Sequence, residues 1–504
     1  MTPADLERLV DRRVHVIGLA ATEGAAIVRF LWQEGFRRLT VHDLAEGEGL
    51  ERAFTRLHVG MPLAERAALW EDLQSLPIQH RQGAQYLAGI EEADAIFAGQ
   101  AWYLYEANRA PLAAARARGV PILGLMDLYF GLSVARIIAV TGSNGKSTTS
   151  RLIERMLCFD AVQRQTEGDP ARPPRAIWYA GNDRHGAQVL GGLSAMTPAD
   201  VLILEVSNRH LLGLSPSPWI GVITNVLPNH LDEHGGSLAA YAAVKRRLVE
   251  RIAPDGWAVM NADDPQSVAL AHGLDAPIAW FSLRDMPEAA ARLDARGHVR
   301  LGADGADLGP VDEARLIGAH NHANILAAAA TAHLAGAAPD AMARAIRAFE
   351  GLKHRLQLVW GAAGVEYYDD LNATSPQATE AALGALAARG HAIVLLAGGD
   401  DKGLDFGALA DRIKAVVRRV ILLPGPGSDR LAGAIAAAGR PGDGGPPIAR
   451  FDDFGAAVAD AVAAARPGDA VLLSPACPYF FRRFYLEGGE ESGFRRLLRG
   501  LTPR

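Results

Sequence analysis

Cysteine is nearly absent, with Cys158 and Cys477 the only two in 504 residues. Their separation excludes a disulfide framework and a thiolate metal cluster as organising features. Aromatics make up 7% of the chain while apolar residues reach 49%, with Ala and Gly abundant. This composition belongs to a folded α/β protein rather than a disordered or fibrous one. A basic excess is missing too: 51 Lys and Arg stand against 57 Asp and Glu, for a net charge of -6. Nucleic acid is therefore not expected as the main partner. No uninterrupted apolar run reaches membrane-spanning length, and the opening Met1-Thr2-Pro3-Ala4-Asp5-Leu6-Glu7 has no basic segment followed by an apolar one. The expectation is a cytoplasmic enzyme that engages neither membrane nor nucleic acid, and its length suggests about three domains.

What is present is organised around Ile137-Ile138-Ala139-Val140-Thr141-Gly142-Ser143-Asn144-Gly145-Lys146-Ser147-Thr148-Thr149. A short β-rich run meets a glycine-bearing turn, and Lys-Ser-Thr-Thr opens a helix that continues through Leu152, Ile153 and Leu157. This is the pattern of a phosphate cradle. Backbone N–H groups from Gly142 to Thr148 can surround phosphate oxygens, Lys146 brings positive charge to the β- and γ-phosphates, and Ser147 offers a hydroxyl to Mg²⁺. Val140 stands where a P-loop usually has its first glycine, but the strand-turn-helix context is kept.

Before this stretch, Val14 to Leu19, a helix over Gly24 to Trp32 and Leu39 to Asp43 read as a βαβ opening. The turn Gly18-Leu19-Ala20-Ala21-Thr22-Glu23-Gly24 has glycines only at its ends and so matches G-x-G-x-x-G weakly. Asp43 has two readings, a ribose acceptor or a solvated carboxylate at a strand end. Strands at Ala95 to Gly99 and Pro121 to Leu125 flank a helix over Ala110 to Arg118, closing a first domain at residue 134. After the cradle, Val201 to Ser207 is a buried strand ending in Glu205, the acid a nucleotide site needs for Mg²⁺. A further strand, Ile220 to Asn225, leads to Pro228 to Gly235, which places His230 and Asp232 at a strand's carboxyl end where ligands collect. A helix then turns Lys245 inward. Asn321 and Asn324, near the start of a helix through Leu326 to Leu334, have a bland reading as caps. From residue 356 strands at Ala392 to Leu396, Arg419 to Leu423 and Ala470 to Leu473 alternate with helices, a doubly wound sheet. Its strand ends, Gly398 to Lys402 and Ser474 to Cys477, are expected to line a cleft. The fold class is α/β in three domains: Rossmann-like over 1–134, a central P-loop sheet over 135–355, and a Rossmann-like domain over 356–504.

Six stretches in this order resemble the Mur ligases, the ATP-dependent amide ligases of peptidoglycan synthesis, and the glutamate-adding branch most. They are Thr141 to Thr149, Glu205 to Ser207, Asn229 to Asp232 with Lys245, His320 to Asn324, Gly351 to Arg355, and Ser474 to Cys477. The resemblance implies an ADP-forming ligase in which a substrate carboxylate attacks the γ-phosphate of ATP. The acyl phosphate then reacts with an incoming amino group once the third domain closes. It implies that Lys146 and Ser147 hold phosphate and metal, and that Glu205, His230 and a carbamylated Lys245 complete the Mg²⁺ site. Asn321 and Asn324 face adenine, while His354, Arg355 and Asp370 join the nucleotide from the hinge and third domain. Asp43 and Asn182 fall on the nucleotide-sugar side, and Thr374, Lys402 and Tyr479 on the side of the incoming glutamate. The implied partners are small molecules, a nucleotide-sugar acyl acceptor and glutamate, handled by a monomer.

The chain also departs from the family pattern. Where the D-glutamate enzymes read Asp-Ser-Lys-Ala-Thr-Asn, this chain has Asp370-Leu371-Asn372-Ala373-Thr374-Ser375, without the cation. The usual Cys-Ala-Ser is Cys477-Pro478-Tyr479, and the Ser-Pro-Gly of the first domain is replaced near Gly99-Gln100-Ala101-Trp102. Trp102 or Tyr103 either stacks on a base or packs, with packing the favoured reading. D-glutamate is the preferred amino acid. The alternatives are L-glutamate, another carboxylate acceptor and, remotely, a noncatalytic P-loop protein.

Overall fold

The structure, a computed structural model, describes residues 1–58, 60–168, 173–182, 188–229, 231–401, 403–438, 445–478 and 493–502. The chain forms two compact units, one of Met1–Val311 with Ala323–Ile346, the other of Asp312–His322 with Arg347–Arg504. Three sheets organise them, and the architecture is α/β as expected.

The first unit holds two sheets. In one, β1 (Val14–Ile17), β2 (Leu39–Asp43), β3 (Gln79–Gln82), β4 (Ala95–Ala98) and β5 (Ile122–Leu123) lie all parallel in the order β3-β2-β1-β4-β5. The chain runs outward from β1 through β3 and then returns to the far side of β1. That reversal opens a crevice at the carboxyl ends of β1 and β4. Gln79-His80-Arg81-Gln82 carries no apolar residue, which is why alternation did not reveal β3. The strand expected over Pro121 to Leu125 is only two residues long, because Leu125 already begins the helix Leu125–Leu132.

The second sheet contains β6 (Arg136–Thr141), β7 (Ile177–Gly181), β8 (Val201–Glu205), β9 (Ile220–Ile223), β10 (Trp257–Asn261), β11 (Ile278–Ser282), β12 (Ala291–Leu293), β13 (His298–Leu301) and β14 (Ala306–Pro310). Their order is β14-β13-β12-β11-β10-β9-β6-β8-β7, parallel from β7 to β12 and antiparallel beyond. Here β6 is the switch point, flanked by β8 on one side and β9 on the other. Val140 lies opposite both Glu205 and Val222. Every residue of β8 is buried, as a parallel strand covered on both faces requires. One apolar core joins the two sheets, running from Val14 and Leu19 through Leu128 and Tyr129 to Leu202 and Val206.

The second unit holds β15 (Gln357–Ala362), β16 (Val365–Asp369), β17 (Ile393–Gly398), β18 (Val417–Leu423), β19 (Ile448–Arg450) and β20 (Ala470–Leu473), in the order β15-β16-β20-β17-β18-β19. Only the β15–β16 pair is antiparallel. Apolar layers cover both faces, one with Leu383, Leu395 and Leu409, the other with Val394, Ile421 and Phe494. Both cysteines are free thiols, and among the described residues no helix is long and apolar enough to cross a membrane.

The glycines that end the first turn earn their places by packing. Gly18 has φ +99, and a Cβ on Gly24 would lie 1.9 Å from the Gly18 carbonyl oxygen. The helix Thr22–Gln33 approaches β1 so closely that Gly24 has no room for a side chain, while at Gly18 a Cβ would lie 1.9 Å from the Trp102 indole nitrogen. Gly24→Ala is expected to destabilise the protein by about 1–3 kcal/mol, the usual size of an overpacking penalty. A lowered midpoint in chemical denaturation checks this, and an unchanged midpoint would contradict the close approach.

Candidate active site

The cradle stands at the carboxyl end of β6, and its backbone is held from β9. Asn225 accepts from the Asn144 N–H at 3.0 Å through its side chain and from the Ser143 N–H at 2.9 Å through its carbonyl. The Thr224 hydroxyl donates to the Asn144 carbonyl at 2.6 Å, and the Ser143 hydroxyl donates to the Leu227 carbonyl at 2.9 Å. Gly142 (φ +151) and Gly145 (φ +83) make the two sharp bends, and a Cβ on Gly145 would lie 2.1 Å from Asn324 Oδ1. The helix Lys146–Glu167 starts at once. Its first N–H groups, at Lys146, Ser147 and Thr148, thus stand at a helix N-terminus, a natural seat for anionic oxygen.

Two lysines meet at one carbonyl. Lys146 Nζ donates to the Gly142 and Ser143 oxygens at 3.0 Å each, and Lys245 Nζ donates to the Gly142 oxygen at 2.9 Å. Lys245 comes from the helix Leu238–Arg246, whose Ser237 cap accepts from the Ala240 N–H at 3.2 Å. It is 1% exposed, with its ammonium 4.4 Å from the Tyr241 ring centroid. Burial, then the charge of Lys146, holds its pKa well below the ordinary 10.5.

Glu205 ends β8 beside this turn and is 1% exposed. Its Oε1 accepts from Asn182 Nδ2 at 2.9 Å, while Oε2 is buried without a hydrogen-bond partner. A buried carboxylate oxygen lacking a donor is costly unless a cation meets it. Thr141 Oγ1, also buried without a partner, lies on the adjacent strand. A buried carboxylate oxygen and a hydroxyl, both oxygen donors, are of the kind that suits a hard divalent ion.

The first unit thus brings Gly142 to Thr148, Asn182, Glu205, Lys245 and Asn324 together. Asn321 and Asn324 are not caps, because the helix Ala319–Leu334 begins before both. Asn324 Oδ1 accepts from the Thr149 hydroxyl at 3.4 Å, and Asn321, in the second unit, donates to the Ile317 carbonyl at 2.9 Å. Asp43 sits apart at the first sheet's carboxyl edge and is 3% exposed, so the solvated reading is wrong. Its oxygens accept from the Ala20 N–H at 2.9 Å and the Ala45 N–H at 3.0 Å. Trp102 packs, as favoured: it is 7% exposed, lies over Gly18 and stacks on Tyr105 at 4.8 Å.

In the second unit, strand ends converge as expected of a parallel sheet. The Asp370 N–H donates to the Leu473 carbonyl at 2.8 Å, Gly398 N–H to Pro475 at 2.9 Å and Ala476 N–H to Ala373 at 3.0 Å. Asp370 accepts from the Ser474 hydroxyl and from the Leu356 N–H, both at 2.9 Å. His354 Nδ1 pairs with Asp369 at 2.9 Å, and His354 and Leu356 flank Arg355 with φ of +62 and +45. Such backbone, rare outside glycine, bends the chain into the sheet. Thr374 follows Asn372 in a tight turn, its N–H donating to the Asn372 carbonyl at 2.9 Å. His230, Lys402 and Tyr479 lie outside the described residues.

Comparison with known proteins gives one family. The Mur ligase middle domain matches residues 140–332, and the domain described as "Mur ligase, glutamate ligase domain" matches 354–477. A protein named UDP-N-acetylmuramoylalanine--D-glutamate ligase from Symbiobacterium thermophilum is 36% identical over 503 residues, 98% of this chain and 99% of its own. One of the same name from Pelotomaculum thermopropionicum is 33% identical, covering 94% of each chain. Among solved structures, the UDP-N-acetylmuramate-alanine ligase of Thermotoga maritima shares the fold at TM-score 0.58 and 16% identity, over 94% of this chain and 98% of that one. A pseudomurein peptide ligase type C from Methanothermus fervidus does so at TM-score 0.55 and 16% identity, over 92% and 96%.

Burial pushes the Asp370 carboxyl from 3.8 up to about 7, against the lowering effect of its Ser474 and Leu356 donors. An acid whose pKa is raised in the fold binds its proton more tightly folded than unfolded, so it stabilises fully below the unfolded pKa and loses that contribution as pH rises towards 7. The difference in unfolding free energy between the ligand-free protein and Asp370→Asn is expected to fall between about pH 4 and pH 7 and to be flat above. Denaturant titrations across that range measure it, and a flat difference throughout would contradict the burial argument.

Proposed function

The chain belongs to the Mur ligase family, and from that premise we propose that it joins D-glutamate to the carboxyl group of UDP-N-acetylmuramoyl-L-alanine, with cleavage of ATP to ADP and phosphate. The relatives that span nearly the whole chain bear the name of that reaction. The observation that carries the reading for this chain is the convergence of the Lys146 and Lys245 amines on the Gly142 carbonyl, in the sheet whose β8 carries the Glu205 carboxylate.

The chemical difficulty is the approach of a carboxylate to a triphosphate, two anions, so electrostatics must supply most of the acceleration. In this reading the helix-start N–H groups and Lys146 bind the β- and γ-phosphates and hold the γ-phosphorus in line. Ser147, Glu205, His230 and Lys245 would hold Mg²⁺, which supplies charge neutralisation between the two anions. A bare ammonium at Lys245 would oppose a metal. Its depressed basicity leaves a nitrogen lone pair to attack CO₂; the nitrogen loses a proton to solvent and an anionic carbamate oxygen results. Asn324, with Asn321, is assigned to adenine, and His354, Arg355 and Asp370 to the nucleotide.

The substrate carboxylate oxygen attacks the γ-phosphorus and ADP leaves. The amino group of glutamate then adds to the acyl phosphate carbon and loses its proton, and phosphate departs as the carbonyl re-forms. Residues 1–134, with Asp43 shaping the first turn, are assigned to the nucleotide-sugar. Residues 135–355 are assigned to ATP, and residues 356–504 to glutamate through Thr374, Lys402 and Tyr479. Asn372 and Tyr479 stand where the family's D-glutamate enzymes carry Lys and Ser, which gives L-glutamate a specific claim as the second reading.

Phosphate release with UDP-N-acetylmuramoyl-L-alanine and ATP should depend on added D-glutamate and exceed the rate with L-glutamate. The reverse preference would select the second reading, and no release with either enantiomer would remove both. Lys245→Ala should lower kcat by about 10²-fold or more, the scale of losing a group that stabilises transition-state charge. Degassed wild-type enzyme should regain rate with added bicarbonate, and indifference to both changes would refute the carbamate assignment.

A further inference from the structure

Glu205 is the end of a longer hydrogen-bonded chain that begins in the first sheet. Gln100, just beyond β4, is its centre. The Gln100 backbone N–H donates to Glu23 Oε2 at 2.9 Å, and its side-chain Nε2 donates to Glu23 Oε1 at 2.8 Å and to Asn182 Oδ1 at 2.7 Å. Its Oε1 accepts from the Ser207 hydroxyl. Asn182 Nδ2 then donates to Glu205 Oε1 at 2.9 Å, and the Asn182 N–H donates to the Glu205 carbonyl at 2.9 Å. On the far side, the Ser207 N–H donates to His210 Nδ1 at 3.3 Å, so Nδ1 is the acceptor and Nε2 carries the proton it shares with Glu23 Oε1 at 3.0 Å. Glu23, Ser207 and His210 are all under 10% exposed.

The direction of every bond is therefore fixed. Ser207 gives to the Gln100 oxygen, Gln100 gives to the Asn182 oxygen, and Asn182 is left with only its NH₂ to offer Glu205. An amide has one donor end and one acceptor end, so reversing Gln100 would set its oxygen against Glu23 Oε1 and the Asn182 oxygen, acceptor against acceptor, while the Ser207 hydroxyl alone could adapt. The result selects one oxygen of Glu205: Oε1 is held, and Oε2 is the one left without a partner.

We propose that Gln100 is a positioning residue for the metal-holding carboxylate. It orients Asn182, which orients Glu205, and so ties the sheet assigned to the acyl acceptor to the sheet assigned to the nucleotide. This rests on the function proposed above for the identity of the metal site. It is the behaviour of a group that supports a metal ligand from behind, whose loss weakens the metal more than it weakens the fold.

The test uses the full chain and Mn²⁺ as a spectroscopic probe, titrated by electron paramagnetic resonance in the presence of a non-hydrolysable ATP analogue. Gln100→Ala and the near-isosteric Gln100→Met should each weaken Mn²⁺ binding by about 10- to 100-fold. In turnover, the Mg²⁺ concentration for half-maximal rate should rise similarly while KM for glutamate stays within about twofold, a split that general loosening of the fold would not produce. Adding Asn182→Ala to Gln100→Ala should weaken Mn²⁺ no further, because both act along one chain. Unchanged Mn²⁺ affinity in a folded Gln100 variant, or full additivity with Asn182→Ala, overturns the proposal. Mn²⁺ weakening in an enzyme that turns over neither glutamate would sustain the positioning role and sink the ligase reading alone. A wild type that binds no Mn²⁺ with the analogue would sink both.

Discussion

One backbone oxygen carries the first unit's chemistry. The Gly142 carbonyl accepts from Lys146 and from Lys245, so two side chains that are ordinarily cations point at a single neutral acceptor. Lys245 reaches it from a place 1% exposed, where an ammonium has lost most of its hydration and gains only a carbonyl and the face of Tyr241. Two like charges that share one acceptor in a poorly solvated setting repel each other, and loss of one proton or an anion between them relieves the repulsion. In the proposed reaction a triphosphate would supply an anion beside Lys146, and a carbamate would remove the cation at Lys245.

The second unit handles charge in the opposite way. At the carboxyl end of β16, Asp369 is paired with His354, whereas the next carboxylate, Asp370, is met by a hydroxyl and a backbone N–H. Neutral donors do not repay the burial of a charge, so Asp370 keeps its proton to about pH 7. Adjacent residues of one strand end thus face different environments because side chains alternate along a strand. That is how one short segment presents a histidine-paired carboxyl and a proton-retaining acid side by side.

Most of the cradle was legible because its signal is local. A strand, two glycines and Lys146-Ser147 lie within a dozen residues, and Glu205 followed from the rule that acids at parallel-strand ends face ligands. Lys245 was legible as an inward lysine on an amphipathic helix, though not the carbonyl it would meet. The bland reading of Asn321 and Asn324 as caps falls because the helix starts at Ala319, before both, and Asn324 lies well inside it, over Gly145. β3 escaped notice for want of apolar residues, and the choice between the two readings of Asp43 stayed open because its donors, the N–H groups of Ala20 and Ala45, are invisible without the fold. Glu23, Gln100 and His210 were not legible as a group at all: 77 residues separate the first pair and 187 the outer pair.

Two departures, one from the dinucleotide fingerprint and one from the family pattern, meet in the fold. The first turn carries Glu23 in a stretch where a dinucleotide fold wants small residues near phosphate, and the loop after β4 carries Gln100 in place of a Ser-Pro-Gly run. A buried carboxylate and a buried amide each need hydrogen-bond partners. Together they satisfy each other: the Gln100 backbone N–H, which a proline there could not offer, goes to Glu23 Oε2, and the Gln100 side chain closes a second bond to Oε1. The surplus hydrogen of the Gln100 amide then has a single use left, the Asn182 oxygen, and through it the local repair of the first sheet becomes a constraint on the second.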